Sequence, residues 1–258
     1  LINYLLPDQT GFTTITKNLP ALVQNSGMEI TFSSKNVQSK NFKWVTNFTI
    51  AVPKNKLVSF PGLAGSSYAN LYKEGEPLSV YSGYRYTGVD PASGIYTFED
   101  IDKDGQITFP NDYSFLGDTD PKIFGGLQNS FRHKNFELSC FFDYRKQVGK
   151  NYLAIIGGNH PGLPINQPLI AVRRWQDSGD IAEIQKFTSR LGGLTGIAAS
   201  NLSQSDGIIS DASFIRLKNV SISYSLPQSW FKSLSVASAS IYLQAQNLAI
   251  ITNYKGSD

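Results

Sequence analysis

The chain is poor in the residues that carry most protein chemistry. Among 258 residues there is one cysteine, Cys140, one methionine, and two histidines, His133 and His160. A single cysteine excludes an internal disulfide framework and a cysteine-built zinc site. The two histidines stand far apart, and no Ser-His-Asp or Cys-His set is legible, so the chain reads as no enzyme, with no catalytic residue to name. Charged residues make up only 17% and the net charge is +3, without a basic run, which argues against a nucleic-acid partner. No run of about 18 apolar residues offers a helical membrane span, and no signal-peptide pattern opens the chain. The start at Leu1, in the middle of LINYLLP, reads as a piece of a longer protein.

What is plentiful is aromatic and turn-forming: 16 Phe, 13 Tyr, 22 Gly and 12 Pro. That mixture favours strands and turns and gives the expectation of an all-β fold. Six segments alternate between apolar and polar residues. In 28–35, Met28, Ile30 and Phe32 oppose Glu29, Thr31 and Ser33. In 42–52, Trp44, Phe48, Ile50 and Val52 oppose Asn47, Thr49 and Ala51. Residues 124–133 alternate more weakly. In 135–146, Phe136, Leu138, Cys140, Phe142 and Tyr144 oppose Glu137, Ser139, Asp143 and Arg145. Residues 212–226 change parity near Asn219, as a β-bulge makes a strand do. In 235–250, Ala237, Ala239, Ile241, Leu243 and Ala245 oppose Ser238, Ser240, Tyr242, Gln244 and Gln246.

Period two over about ten residues means strands with one face against an apolar phase. Alternation alone leaves two phases open: the core of a soluble, calcium-stabilised sandwich binding carbohydrate, or the lipid around a transmembrane antiparallel β-barrel. Connection lengths favour the second. Short turns join the strands in pairs, and long connections at about 7–26, 54–122 and 148–211 separate the pairs, the pattern of periplasmic turns and extracellular loops. On that reading Trp44, Phe136, Phe142 and Tyr144 meet lipid or the interfacial girdle. Glu137, Asp143, Arg145, Tyr242, Gln244 and Gln246 face the lumen and set its polarity. Tyr68, Tyr72, Tyr81, Tyr84, Tyr86 and Trp175, in the long loops, are candidates to stack on a sugar or meet a lid.

One loop carries chemistry of its own. In FEDIDKDGQITFPNDY (98–113), Asp100, Asp102 and Asp104 alternate and Gly105 follows. Alternating carboxylates with glycine at the sixth place let a chain curl about a calcium ion. Gln106 then offers a backbone carbonyl. The usual twelfth-place acid is replaced by Asn111, with Asp112 one step later as the substitute. An acidic solvated turn is the plainer alternative, since Asp and Gly form turns anyway.

Four motifs in one order, DPASG at 90–94, the Asp-rich loop, GDTDPKIFGGL from Gly117 and SDASFIRLKNV from Ser210, carry a resemblance that extends over nearly the whole chain. The sequence resembles the C-terminal barrel region of the SusC/RagA family of TonB-dependent outer-membrane transporters of Bacteroidetes. The resemblance implies a barrel of about 22 strands with an N-terminal plug, both reaching beyond this chain, and a further loop and final strand after Asp258. It also implies import of oligosaccharides or peptides, energy from the TonB complex through the plug region, a SusD-like surface lipoprotein as lid, and contact with outer-membrane lipid.

Overall fold

The computed structural model describes residues 2–5, 8–18, 20–158, 162–231 and 236–256. Six long strands dominate it: β1 (Leu22–Gln38), β2 (Phe42–Ser59), β3 (Ile123–His133), β4 (Phe136–Lys146), β5 (Phe214–Ser225) and β6 (Ser240–Thr252). They form one antiparallel sheet whose spatial order is the chain order, β1 to β6. The chain is therefore all-β with a meander at its centre. Closure of a barrel would need strands beyond β1 and β6.

Cross-strand register shows what the alternation is for. Ile30, Ile50 and Gly125 form one row, and Phe32, Phe48, Leu127, Phe142 and Leu217 form the next. Leu138, Ile222 and Leu243 extend the same face. The opposite face carries Asn47, Gln128, Asn219 and Gln246 in one row and Ser139, Ser221 and Gln244 in another. Among the described residues no second sheet of comparable size exists. The buried apolar residues lie in the connections, apart from Leu57 at the far end of β2. The packing of a soluble sandwich, two inner faces around one core, is thus absent from this sheet. Met28 (57% exposed), Leu243 (70%) and Ile251 (74%) stand open on the apolar face. Each leaves roughly 1 kcal/mol or more of transfer free energy unrealised in water. From Trp44 to Val52 the apolar stripe runs about 26 Å along the strand, close to the roughly 25 Å band of an outer-membrane barrel once tilt is allowed for. At the short-turn end aromatic rings gather: Trp44 stacks on Phe131 at 5.6 Å, and Phe136 meets Tyr224 at 6.1 Å.

Keeping one face apolar demands exact parity, and bulges maintain it. Phe141 pairs with Asn219 but Phe142 pairs with Leu217, so Lys218 is an extra residue in β5. Without it Leu217 and Ile215 would turn to the polar face. The adjoining stretch of β6 is bulged too, with Asn247 at φ 53. The parity change read near Asn219 is this bulge.

The first two strands are longer than expected. The β1–β2 ladder continues to Leu22↔Ser59, so residues 22–26 and 54–59 belong to strands and not to the loops at 7–26 and 54–122. Their side chains hide this because the alternation of 28–35 and 42–52 does not continue through them; Asn55 Nδ2 donates to Asn25 Oδ1 at 2.6 Å. Toward β3, pairing stops at Ala51↔Phe124 and resumes only where Leu57 exchanges hydrogen bonds with Gly75 and Glu76. Pro53, which has no N–H to offer, sits in that interval.

The long connections are not structureless. Val80–Tyr84 pairs with Tyr113–Asp118, Tyr86–Val89 with Tyr96–Phe98, and Val148–Lys150 with Ile209–Asp211. Two helices, α1 (Tyr152–Gly158) and α2 (Leu194–Ser203), accompany them. Tyr96 from the first connection packs with Leu153, Ile156, Ile184, Leu202 and Ile208 from the second, so the two share one core. A second cluster joins Leu57 and Val23, both of polar-face parity, to Phe60 and Tyr68. This head therefore meets the sheet on its polar side.

Two glycines fix where β2, β3 and β4 meet. Tyr144 crosses over Gly125, stacks on Phe48 at 6.2 Å and donates its hydroxyl to Thr49 O at 3.1 Å. A Cβ on Gly125 would lie 2.1 Å from that carbonyl oxygen, and one on Gly126 2.6 Å from the Phe141 ring. Each glycine is roofed by an aromatic ring, one on each face. Gly125→Val is expected to destabilise the folded protein by about 1–3 kcal/mol, read as a lower thermal midpoint of heat-modifiable migration. Gly192→Ala, where an added Cβ meets open space, should leave the midpoint unchanged.

Candidate functional site

The Asp-rich loop hangs from the head between Tyr96–Phe98 and Tyr113–Asp118. Its backbone turns where the sequence permits: Lys103 (φ 61) and Gly105 (φ 84) both adopt left-handed conformations. Asp100 Oδ2 accepts from Gly105 N at 2.8 Å, and Asp102 Oδ1 from Asp104 N at 3.2 Å. Asp104 Oδ1 accepts from Gln106 N at 2.7 Å. Asn111 Nδ2 donates to Asp102 Oδ2 at 2.7 Å.

Asp112 closes the loop from beneath. It is fully buried, and its carboxylate accepts from Thr108 N at 2.8 Å and Ile101 N at 2.7 Å. The Thr108 N–H holds its pKa below the usual carboxylate range, aided by the Ile101 and Asp102 N–H groups and opposed by burial. Carboxylate oxygens of Asp100, Asp102 and Asp112 lie within 4.8 Å of one another. Asp100 Oδ1 is buried with no hydrogen-bond partner. Asp104 stands outside that group, with its carboxylate turned to the Gln106 amide. Gln106 itself is exposed.

The polar face of the sheet holds the other residues singled out by sequence. Glu137 bonds Arg132 at 2.7 Å, and Asp143 meets Lys218 at 4.0 Å. Arg145 lies over the Phe124 ring, 5.9 Å from its centroid. Gln244 donates to Asn219 Oδ1 at 3.3 Å, while Gln246 pairs across the ladder with Asn219 and Tyr242 with Ser223. All six share one face. Sequence reading passed over Phe124, Phe214, Arg216 and Lys218, which join Asp143 and Arg145 there. The glycine doublet Gly125–Gly126 inside a strand was the available signal, since it marks a close approach.

The tyrosines expected to meet a sugar or lid are largely packing residues instead. Tyr68 (5% exposed) stacks on Tyr72 at 5.8 Å, and Tyr84 (6%) meets Tyr113 edge-on at 5.3 Å. Burial, and then Glu183, push the Tyr86 pKa up to about 12. Trp175 donates from Nε1 to Pro91 O at 2.9 Å and packs on the DPASG turn, where Gly94 (φ +69) leaves it room. The aromatics were surplus to the strands because the head needed a core of its own. His133 is tilted against Phe42 at the β3–β4 turn; His160 lies outside the described residues.

No family model matches the chain. Curated relatives do. "TonB-dependent receptor P3" of Formosa agariphila is 27% identical over 98% of this chain and 26% of its own length. "TonB-dependent receptor SusC" of Bacteroides thetaiotaomicron is 23% identical over 98% of this chain and 26% of its own length. The chain thus spans about a quarter of the relatives it matches. A solved structure, "Structure of the RagAB peptide transporter", superposes with a TM-score of 0.78 at 22% identity, over 99% of this chain and 29% of the solved one. Over nearly its whole length the chain is thus similar to TonB-dependent receptors, SusC among them, and it shares the all-β fold of the RagAB transporter.

Proposed function

We propose that this chain supplies wall and outer loops to a TonB-dependent outer-membrane importer, as the C-terminal part of a barrel of about 22 strands. One observation carries the reading: a six-stranded meander whose apolar face is covered by nothing among the described residues, while its polar face meets the head. Lipid is the phase that completes such a sheet. The polar face then lines the aqueous passage, where Glu137, Asp143, Arg145, Tyr242, Gln244 and Gln246 offer hydrogen bonds and charge to a moving cargo. Their role is to hold and release, with no bond made or broken. The cargo is an oligosaccharide or peptide, delivered through a SusD-like lipoprotein, and TonB acts through a plug region outside this chain. The names of the relatives support this assignment.

In an outer-membrane preparation of the intact transporter with Cys140→Ser, cysteines introduced at Ser139 and Gln244 should react with a membrane-impermeant maleimide. Cysteines at Phe142 and Leu243 should not. Equal labelling of both sets would sink the membrane reading.

We further propose that the Asp-rich loop binds calcium as a structural brace. Asp100, Asp102 and Asp112 fit the ion, being hard oxygen donors already converged, and the unpartnered Asp100 Oδ1 adds an acceptor without a donor. The set expected from sequence also holds the Gln106 carbonyl and Asp104, whose carboxylate would have to turn from the Gln106 amide to join the other three. When bound, the ion would neutralise clustered charge and tie Asp112 to the loop tip. Removing it should expose residues 98–113: limited proteolysis of the intact protein is expected to cut there at least several-fold faster in chelator than in millimolar calcium. Identical rates would count against the site.

Acid gives an independent handle. The folded pKa of Asp112 is depressed, so its contribution is complete above its unfolded value of about 3.9 and is lost as pH falls through the folded value. Loop protection in chelator should therefore persist to about pH 4 and fail below it. Asp112→Asn should start less protected at neutral pH and lose this acid step.

A further inference from the structure

On the polar face, at the end nearer the head, the fold gathers more cations than carboxylates. Cross-strand register sets Phe124, Arg145 and Phe214 side by side on β3, β4 and β5, with Arg216 opposite Asp143 one step along. The Arg145 guanidinium carbon is 5.9 Å from the Phe124 centroid, and that of Arg216 4.8 Å from Phe214. Asp143 is the carboxylate opposite Arg216, and the bulge residue Lys218 engages it at 4.0 Å. The ion pairs among the described residues join other partners and include neither arginine. Three cations thus stand against two carboxylates, Asp143 and, in the neighbouring hollow, Glu29. Beside them lies a hollow of about 270 Å³ whose lining includes Phe124, Phe141, Arg145, Lys218, Asp143 and Glu29. Gly126 gives it depth, because any side chain there would strike the Phe141 ring.

An arginine laid on an aromatic face keeps its charge and has its orientation restrained, while its donors remain free in the plane of the fork. That arrangement matches a carboxylate, which takes two parallel N–H bonds. If the arginines served only to cover the rings with their stems, the site would be indifferent to the charge of what passes. We propose that Arg145 and Arg216 recognise a carboxylate on the cargo, so that the transported oligomer is acidic. The proposal rests on the polar face lining the aqueous passage.

The test is calorimetric titration of the intact, detergent-solubilised transporter with two matched pairs of probes. One pair is pentaglutamate and pentaglutamine; the other is a galacturonate oligomer and its methyl ester. In at least one pair the acid form should bind about tenfold tighter or more, the scale of one charge-assisted hydrogen-bonding group. The pair that discriminates assigns the carboxylate to a peptide or to a sugar. R145A/R216A should bring the two affinities together, and R145K/R216K, which keeps charge but loses the fork, should retain only part of the difference. Equal affinity within both pairs, no binding of any probe, or discrimination surviving in R145A/R216A overturns the proposal. Failure of Gln128→Cys, in a Cys140→Ser background, to react with an impermeant maleimide would withdraw the aqueous-passage reading and this site with it. Labelling without discrimination removes the site alone.

Discussion

The structure depends on one constraint: every strand of the meander must keep its apolar residues on the same side. A strand has only two sides, so a slip by one residue exchanges them completely. The chain meets the constraint with alternation where the ladder is regular and with extra residues where it is not. Lys218 resets the parity of β5, and the neighbouring irregularity at Asn247 lets β6 follow. The same insertion places a cation beside Asp143, so a device that preserves the apolar face also shapes the polar one. Gly125 and Gly126 serve both faces at once, since each lets an aromatic ring lie flat against the backbone, Tyr144 on one side and Phe141 on the other.

The head obeys different rules. Its residues pack as a globular core, with Ile156, Ile184 and Leu202 fully buried and Gln185 satisfied by bonds between Tyr96 N and Thr195 O. Of the motifs that carry the resemblance, two fall at the joints between the two regimes, while DPASG lies within the head. DPASG seats Trp175, Asp118 bonds Lys122 just before β3 begins, and Asp211 receives Ser213 N as β5 begins. Turns and caps of this kind set the angle at which a loop leaves a wall. They need particular residues, whereas the wall needs only the right polarity.

That difference explains how much was legible from residues alone. The six strands and the bulge near Asn219 could be read because a strand with one apolar face alternates with period two over many residues. The extensions of β1 and β2 could not, because the alternation breaks there: Leu22–Val23 and Leu57–Val58 stand as apolar doublets beside the polar stretches at Asn25 and Asn55. The head was invisible for another reason: its core joins Tyr96 to residues more than fifty positions away, and no local pattern encodes a contact of that span. For the same reason Tyr68 and Tyr84 looked like spare recognition surface when they are interior. In the Asp-rich loop the spacing of Asp100 and Asp102 was informative. The burial of Asp112 was not, since only the folded loop draws it under Ile101 and Thr108.

The shared core of the two long connections has a consequence for how such a surface can change. Tyr96 fills a space made by Leu153, Ile184 and Leu202, and Trp175 fits a turn contributed by the other segment. Neither connection can be exchanged alone without leaving a void or a collision in its neighbour. The unit of variation at this end of the molecule is therefore the pair, and grafting or recombination between relatives would have to carry both segments across together.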